Sequence, residues 1–136
     1  MPTFTLFERN AQTCVRIASL WNAAASPALA FGTEFVVFNT QPMPGLAQAG
    51  RLAWEGDRLA GVALASLVAA EGPFQGEAWL DLLAVAPGHQ RRGTGSALLA
   101  WAEGWLAEQG GRNVHVGGGL NPFAAGLPVE LGTQNF

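Results

Sequence analysis

The 136-residue chain has a single cysteine and few charged side chains, and both scarcities narrow what it can be. With Cys14 alone, no internal disulfide can form and no thiolate metal cluster can assemble. Because free cysteine is among the most buried residue types, we expect Cys14 to be a small buried hydrophobic residue on a helix. Charged residues make up 12% of the chain and hydrophobic residues 49%, which indicates a compact domain rather than a disordered segment.

The chain also lacks the features that direct a protein to a membrane, to nucleic acid or to a metal. The first ten residues, MPTFTLFERN, have neither the basic segment nor the apolar core of a signal peptide. The longest apolar run, residues 62–70 interrupted by Ser66, is far shorter than the roughly 20 residues that span a bilayer. A net charge of −3 provides no basic face for nucleic acid, and no cluster of acidic, His and Cys residues suggests a metal site. We therefore expect a cytoplasmic protein with no membrane, nucleic-acid or metal partner.

The hydrophobic pattern predicts a single α/β domain over residues 1–136. Alternating or short apolar runs indicate strands, and apolar residues at helical spacing indicate helices. The predicted elements are a strand at 3–7, a helix capped by Asn10 that ends before Ser26-Pro27, a hairpin at 51–70, a strand at 77–85, a helix at 96–109 and a strand at 113–116. Residues 28–49 give no clear prediction. The crossover through the second helix should make the last strand parallel to the one before it, giving a mixed sheet of about five to six strands flanked by helices.

The turn between the strand at 77–85 and the following helix is rich in glycine and in hydrogen-bond donors. A helix N-terminus presents unpaired N–H groups, and its dipole favours a negative charge. Two glycines here would let an anion approach those amides, while two arginines and two hydroxyl side chains add charge and donors. The turn therefore predicts a diphosphate site, although such a turn can equally serve to pack a strand on a helix. Its residues are Gln90, Arg91, Arg92, Gly93, Thr94, Gly95 and Ser96.

Two common phosphate-binding loops do not match this turn. A Walker loop ends in Gly-Lys-Ser or Gly-Lys-Thr, and the turn has no lysine. A dinucleotide-binding loop has a third glycine three positions after the second, and this chain has Leu98 there. Such a loop also needs an acidic residue at the end of a following strand, and this chain has none at that place.

A third motif does match. The segment VAPGHQRRGTGSALL, residues 85–99, contains Gln90-x-x-Gly93-x-Gly95 after a strand that ends Val-x-Pro. It resembles the acetyl-CoA signature of the GNAT superfamily of N-acetyltransferases, and the order of predicted elements is similar to that fold over most of the chain. The resemblance implies a GNAT-like (acyl-CoA N-acyltransferase) fold with acetyl-CoA as co-substrate.

The resemblance also implies where acetyl-CoA binds. The amides of residues 92–96 would bind the CoA pyrophosphate, within a turn that also contains Gln90 and Arg91. The backbone of Leu83 and Val85 would pair with the pantetheine arm. Thr94 departs from the family pattern, which usually has a bulky apolar residue between the glycines.

Candidate catalytic residues follow from the chemistry of acetyl transfer, which needs a neutral amine, a polarised carbonyl and a proton source for the departing thiolate. The usual base of the family is a carboxylate that acts through water. Glu77 and Asp81 are four residues apart on one predicted strand, so their side chains should point to the same face. We favour Asp81 slightly, and expect it to share that face with Leu83 and Val85; both carboxylates can equally be solvated or structural. The resemblance further implies that Trp21 and the phenylalanines of residues 31–38 line the acceptor pocket.

The proton donor is the missing part of this resemblance. The family commonly uses a tyrosine early in the helix after the fifth strand, and this chain has no tyrosine. The final residues, ELGTQNF, resemble the beginning of that helix, with Phe136 at or just before the tyrosine position. We therefore expect a domain that lacks the C-terminal helix and last strands: a fragment or one half of a tandem protein, a degenerate domain, or one completed by the missing segment or a second copy in a homodimer.

Two functions remain open from the sequence. The first is transfer of an acetyl group from acetyl-CoA to a primary amine, on a small molecule or a protein, by direct attack. The alternative is a catalytically silent CoA-binding or structural GNAT-like module. The intact turn favours cofactor binding in either case, and the absent tyrosine favours the alternative.

Overall fold

The computed structural model of the chain describes residues 2–25 and 27–116. Its helices and strands are, in chain order, β1 (Thr3–Leu6), α1 (Ala11–Ala24), α2 (Thr33–Asn39), β2 (Leu46–Glu55), β3 (Arg58–Val68), β4 (Glu77–Val85), α3 (Thr94–Glu108) and β5 (Asn113–Val116). The strands form one sheet in the order β1-β2-β3-β4-β5, in which the first four are antiparallel and β5 is parallel to β4. The predicted mixed sheet flanked by helices is confirmed, with five strands in the described residues. The expectations about the segment up to Phe136 lie outside them.

Helix α1 begins and ends where the sequence predicts. The Asn10 side chain accepts a hydrogen bond of 2.9 Å from the Thr13 N–H, which satisfies one of the amides left open at a helix N-terminus. The helix ends at Ala24, shortly before Pro27. Cys14 is 1% exposed on the buried face, as expected, and burial raises the pKa of its thiol.

Helix α2 occupies part of the region that the sequence left unclear. It has seven residues, too few for a helical periodicity to stand out. An aromatic stack holds this region against α1: the Trp21 and Phe31 rings are 5.3 Å apart, and the Phe31 and Phe35 rings 5.0 Å apart. Because Trp21 and Phe31 stack only once α1 and the segment after it have packed together, the local pattern could not reveal this contact.

The sheet is buried between two helical layers. β2 and β3 form the predicted hairpin, with Gly56 at φ 62° in the turn, although β2 begins at Leu46 rather than Arg51. One face of the sheet packs against α1 and α2, and the other packs against α3. The sheet residues buried on the first face include Leu52, Val62, Leu64, Leu82 and Ala84, and those on the second include Ala63, Ala65, Leu67, Ala78, Leu80, Leu83 and Val85.

Helix α3 covers the second face with the apolar stripe that the sequence predicts. Leu98, Ala102 and Leu106 are buried, and the helix begins at Thr94, two residues before the predicted start. It ends at Glu108, and Gly110 follows with φ 88°, as expected for a left-handed residue just after a helix C-terminus. None of the described helices is both long and apolar enough to cross a membrane.

Gly50 lets the chain after β1 cross close above the sheet. The Phe7 N–H donates to the Gly50 carbonyl at 2.7 Å. A Cβ atom on residue 50 would lie 2.5 Å from Leu64 Cδ2 and 2.7 Å from Phe7 Cβ, closer than packed carbon atoms approach.

We therefore expect Gly50→Ala to lower the free energy of unfolding by about 1–3 kcal/mol through overpacking. Gly104→Ala is the matched control, since a Cβ there meets nothing within 4 Å on an exposed turn of α3. It should leave stability unchanged or raise it by up to about 1 kcal/mol. Urea denaturation measures both, and equal stability of the Gly50 variant and the parent protein would contradict the packing argument.

Candidate functional site

The N-terminus of α3 presents open backbone amides at the end of β4. Gly93 precedes the helix with φ 84°, a left-handed conformation that a residue with a side chain adopts at a cost. No side chain of the described residues caps this end, and the first helical hydrogen bond runs from the Ala97 N–H to the Gly93 carbonyl at 3.0 Å. The three amides between them, of Thr94, Gly95 and Ser96, therefore have no partner within the helix. This is the arrangement that binds anions at helix termini.

The preceding turn is held to β4 by a side chain. The Gln90 amide donates to the Val85 carbonyl at 3.1 Å, which closes the turn. Arg91 lies in the left-handed region at φ 64°, and the side chains of Arg91 and Arg92 are exposed to solvent. Thr94 is buried, 4% exposed, and packs on the sheet, so we expect its side chain to serve packing here, whereas Ser96 is exposed.

Strand β4 has unpaired polar groups along its second half. β5 pairs with Glu77 to Leu80 and, among the described residues, no strand pairs with β4 beyond that point on this side. On the other side, the Ala86 N–H donates to the Ala60 carbonyl at 2.8 Å. Since hydrogen-bonding direction alternates along an antiparallel strand, the N–H and C=O groups of Leu83 and Val85 point away from β3 on this side. The Val85 carbonyl accepts from Gln90, and the other three groups face the gap.

Asp81 lies at a bulge in β4. Leu64 pairs with Leu82 and Ala65 pairs with Leu80, so Asp81 has no partner of its own in β3. Its side chain is 9% exposed, and Oδ1 is buried without a hydrogen bond in the described residues. Burial raises the pKa of Asp81 from its ordinary value of 3.8 to about 7, and the nearby Ser66 hydroxyl opposes this by a smaller amount.

Asp81 lines a cavity of about 220 Å³ on the α1–α2 side of the sheet. The walls come from the segment after β1, from the end of α2 and the segment that follows it, and from β2, β3 and β4. They combine apolar surface with several polar groups, and Arg9 and Asp81 are the charged members of the set. The lining residues are Phe7, Arg9, Asn39, Thr40, Pro42, Gln48, Ala49, Leu64, Ala65 and Asp81.

The bulge overturns one expectation about Asp81. Leu80 and Leu83 both pack on the α3 face, an odd separation that regular alternation does not allow. The prediction that Asp81 shares its face with Leu83 and Val85 is therefore wrong, because the extra residue reverses the alternation between them. Before the bulge, alternation places Glu77 and Asp81 on the same side of β4, as expected.

Glu77 is engaged in contacts with β5. Its two carboxylate oxygens accept from the Asn113 side-chain amide and contact the His115 Nε2, each at 3.0 Å. These hydrogen bonds hold the pKa of Glu77 below its usual range, and the one with His115 has the largest effect. The carboxylate therefore joins β4 to β5, whereas Asp81 faces a cavity.

The aromatic residues predicted to line the acceptor pocket do not line the Asp81 cavity, and the acceptor pocket itself stays a prediction. Trp21 is buried, its indole N–H donates to the Leu29 carbonyl at 2.8 Å, and it stacks on Phe31. None of Trp21, Phe31 or Phe35 lines the Asp81 cavity. They hold α2 in place, and the end of α2 contributes Asn39 and Thr40 to the cavity wall instead.

Several polar residues around Asp81 were missed from the sequence. Arg9, Asn39 and Thr40 reach the cavity through contacts between distant segments, which no spacing rule reveals. Ser66 did carry a signal, since it is the one polar residue in the apolar run at 62–70. No group of three or more His, Cys, Asp and Glu side chains is placed to hold a metal ion in the described part of the chain.

Comparisons with known proteins agree with this geometry. A sequence model of the family described as "Acetyltransferase (GNAT) family" matches residues 15–132. A comparison with curated proteins found no match.

Among solved structures, the chain is similar to the GCN5-related glucosamine N-acetyltransferase region of a fungal multi-domain GH3 β-N-acetylglucosaminidase, with a TM-score of 0.80 and 20% identity over 96% of this chain and 15% of that one. For the ribosomal-protein-S18-alanine N-acetyltransferase from Escherichia coli, the TM-score is 0.64 and the identity 19%, over 84% of this chain and 66% of that one. For an aminoglycoside 6′-N-acetyltransferase complexed with coenzyme A, the TM-score is 0.64 and the identity is 19%, over 85% of this chain and 61% of that one. At these identities the likeness shows the fold, and the chain spans only part of each relative.

The buried carboxyl of Asp81 predicts an unusual pH dependence of stability. Its pKa is higher in the folded protein than in the unfolded chain, so the folded state binds the proton more tightly and loses stability as pH rises from about 4 to about 7. The free energy of unfolding of Asp81→Asn, taken relative to that of the parent protein, should therefore rise by about 4 kcal/mol between pH 4 and pH 8. One pKa unit corresponds to roughly 1.4 kcal/mol.

Urea denaturation across this pH range measures the difference. Glu77→Gln is the control: because the pKa of Glu77 is lowered, its contribution is lost as pH falls, the opposite direction. A difference between Asp81→Asn and the parent protein that does not change with pH would contradict the assignment.

Proposed function

Because the chain belongs to the GNAT family of acetyltransferases, as the match over residues 15–132 shows, we propose that it transfers the acetyl group of acetyl-CoA to a primary amine. The amine nitrogen attacks the thioester carbonyl directly, a C–N bond forms and the C–S bond breaks. The amine loses a proton and the CoA thiolate gains one. The acceptor is a small molecule or an amine on a protein.

The turn before α3 supplies the proposed site for the CoA diphosphate. Its open amides and exposed arginines are the donor set that a diphosphate needs. In this proposal, Gln90 holds the turn against β4, and the backbone groups of Leu83 and Val85 pair with the pantetheine arm. The turn residues assigned to the diphosphate are Arg91, Arg92, Gly93, Thr94, Gly95 and Ser96, with Thr94 contributing its amide.

Asp81 is the proposed general base. A base is most effective when its pKa lies near the working pH, and burial brings the pKa of Asp81 to about 7. Asp81 keeps 9% of its surface exposed and lines the cavity, so its carboxylate can accept a proton from an amine bound there, directly or through water. Glu77 is the second candidate, and its engagement with Asn113 and His115 makes it the weaker one.

The observation that carries this proposal is the arrangement of one strand. Within five residues, β4 provides the carboxyl in the cavity at Asp81, the unpaired backbone groups of Leu83 with the unpaired N–H of Val85, and the connection to the open amides of α3. A thioester held along this gap would bring its carbonyl toward the Asp81 cavity, where an amine can reach it.

The proposal includes the setting of the domain. We propose that residues 1–136 form one GNAT-type domain that works in the cytoplasm, where acetyl-CoA is available. A CoA-binding module without activity is the competing proposal, and the absence of tyrosine from the chain favours it. Cofactor binding and turnover therefore need separate tests.

The first test concerns the turn. Isothermal titration calorimetry should show that CoA binds, and that Arg92→Gln weakens the affinity about tenfold at low salt, the effect of losing roughly 1.4 kcal/mol of charge-assisted contact. Arg51→Gln removes the same charge from β2, where the guanidinium lies over the Phe4 ring, and should leave the affinity unchanged. The absence of CoA binding at high micromolar concentration, by a protein shown to be folded, would exclude both CoA proposals.

The second test concerns the base. With an amine that is turned over, kcat/KM should rise with pH through about 7, because Asp81 accepts a proton only when ionised. Asp81→Asn should lose this limb and lower kcat/KM by about 100-fold at pH 8, while the amine's own ionisation at higher pH remains. Glu77→Gln should keep the limb. Binding of CoA without thiol release from any amine in a broad panel would support the silent module instead.

A further inference from the structure

Arg9 brings a positive charge to the wall of the Asp81 cavity. It follows β1 by three residues, after Phe7 is fixed above Gly50 by a backbone hydrogen bond. Among the ten lining residues it is the one cation, and Asp81 is the one acid.

The guanidinium of Arg9 is held in a fixed orientation by the end of α2. Its Nε–H donates to Thr40 Oγ1 at 3.2 Å, and Nη2 donates to the Val37 carbonyl at 2.9 Å. The Thr40 hydroxyl in turn donates to the Val36 carbonyl at 2.8 Å, so its position is fixed as well. Two of the five N–H donors of the guanidinium are used in this way, and the two on Nη1 have no partner in the described residues.

The charge of the cavity disfavours acceptors that are polycations. The single carboxyl, Asp81, is about half protonated near pH 7, and the guanidinium of Arg9 is a cation. An acceptor with several ammonium groups would therefore meet a cavity that is neutral or slightly positive. An acceptor with a negative group beside its amine would meet a guanidinium whose fork fits carboxylate and phosphate oxygens.

We infer that the acceptor amine carries an anionic group, a carboxylate or a phosphate, and that Arg9 binds this group while the amine faces Asp81. This inference rests on the proposed acetyl transfer and specifies the class of its acceptor. It makes Arg9 a residue that determines specificity.

A purely structural role for Arg9 predicts something different. By bonding the Val37 carbonyl, the guanidinium also stabilises the C-terminal end of α2. Loss of that contact would lower stability and affect all acceptors alike. It would not change the preference between two acceptors that differ in one charge.

Matched pairs of amines provide the test. β-Alanine and β-alaninamide have nearly the same shape and differ in the negative charge, and phosphoethanolamine and ethanolamine test the phosphate in the same way. Thiol release from acetyl-CoA is measured for each amine. The amino group of β-alaninamide is less basic than that of β-alanine, so at a given pH a larger fraction of it is the reactive free base. This difference favours the neutral member of the pair, which is opposite to the preference expected from Arg9.

We expect kcat/KM for an anionic member to exceed that of its neutral partner by about tenfold or more, the effect of one charge-assisted contact. Arg9→Gln should reduce this preference to about threefold or less, through KM rather than kcat, and Arg9→Lys should restore part of it. The pair with the larger preference identifies carboxylate or phosphate as the group that is bound.

Arg16→Gln is the matched control. Arg16 also donates to a backbone carbonyl, that of Asp57 at 2.7 Å, but it lies on the outer side of α1 and does not line the cavity. It should leave the preference unchanged. Equal kcat/KM within both pairs, or an unchanged preference in folded Arg9→Gln, would overturn the inference.

Failure of the inference can be told apart from failure of the proposed function. If no amine in the broad panel releases thiol, the proposed acetyl transfer fails, and binding of these four amines to the CoA-loaded protein is then measured by calorimetry. Tighter binding of the anionic members, lost in Arg9→Gln, would still support the anion site. Binding without a preference for charge, or no binding of any of the four amines, would overturn it.

Discussion

Strand β4 is hydrogen-bonded to β3 along almost its whole length but to β5 only along its first four residues, and the candidate site depends on this asymmetry. A strand paired on both sides would have no backbone groups left for a ligand, and a strand paired on neither side would not be held in place. Pairing with β3 fixes the position of Leu83 and Val85, while the gap beside β5 leaves both backbone groups of Leu83 and the N–H of Val85 open. The same strand leads directly into the open amides of α3.

The bulge at Asp81 adds a second constraint to the same strand. It places a carboxyl in a cavity on the α1–α2 side while Leu80 and Leu83 both remain packed against α3. A buried carboxyl with no hydrogen bond on one oxygen lowers the stability of the fold. The apolar packing on both faces of the sheet offsets this cost. Such unfavourable placement of a titratable group in a cavity is typical of functional sites. The fixed guanidinium of Arg9 supplies the opposite charge in the same wall.

Much of the fold could be predicted from the sequence because its signals are local. Asn10 caps α1, Gly56 closes the hairpin, and β4 and β5 have the bounds that the apolar pattern predicts. The turn from Gln90 to Ser96 was also readable, since its glycines and the following helix are contiguous. Helix α2 was not, because its position depends on the stack of Trp21, Phe31 and Phe35, which forms only when α1 and α2 meet.

The sequence by itself determined the strand–turn–helix unit at the end of β4 and the family resemblance that it carries, because helix-terminal amides and glycine conformations depend on neighbouring residues. It also determined that Glu77 and Asp81 lie on one side of β4 before the bulge. Only the tertiary structure decided that the two carboxylates have different environments, Glu77 bonded to β5 and Asp81 buried at a cavity. The bulge depends on the register between β3 and β4, and the cavity depends on contacts such as that of Arg9 with Thr40, 31 residues apart. Contacts of that range exist only once the sheet and both helices are packed together.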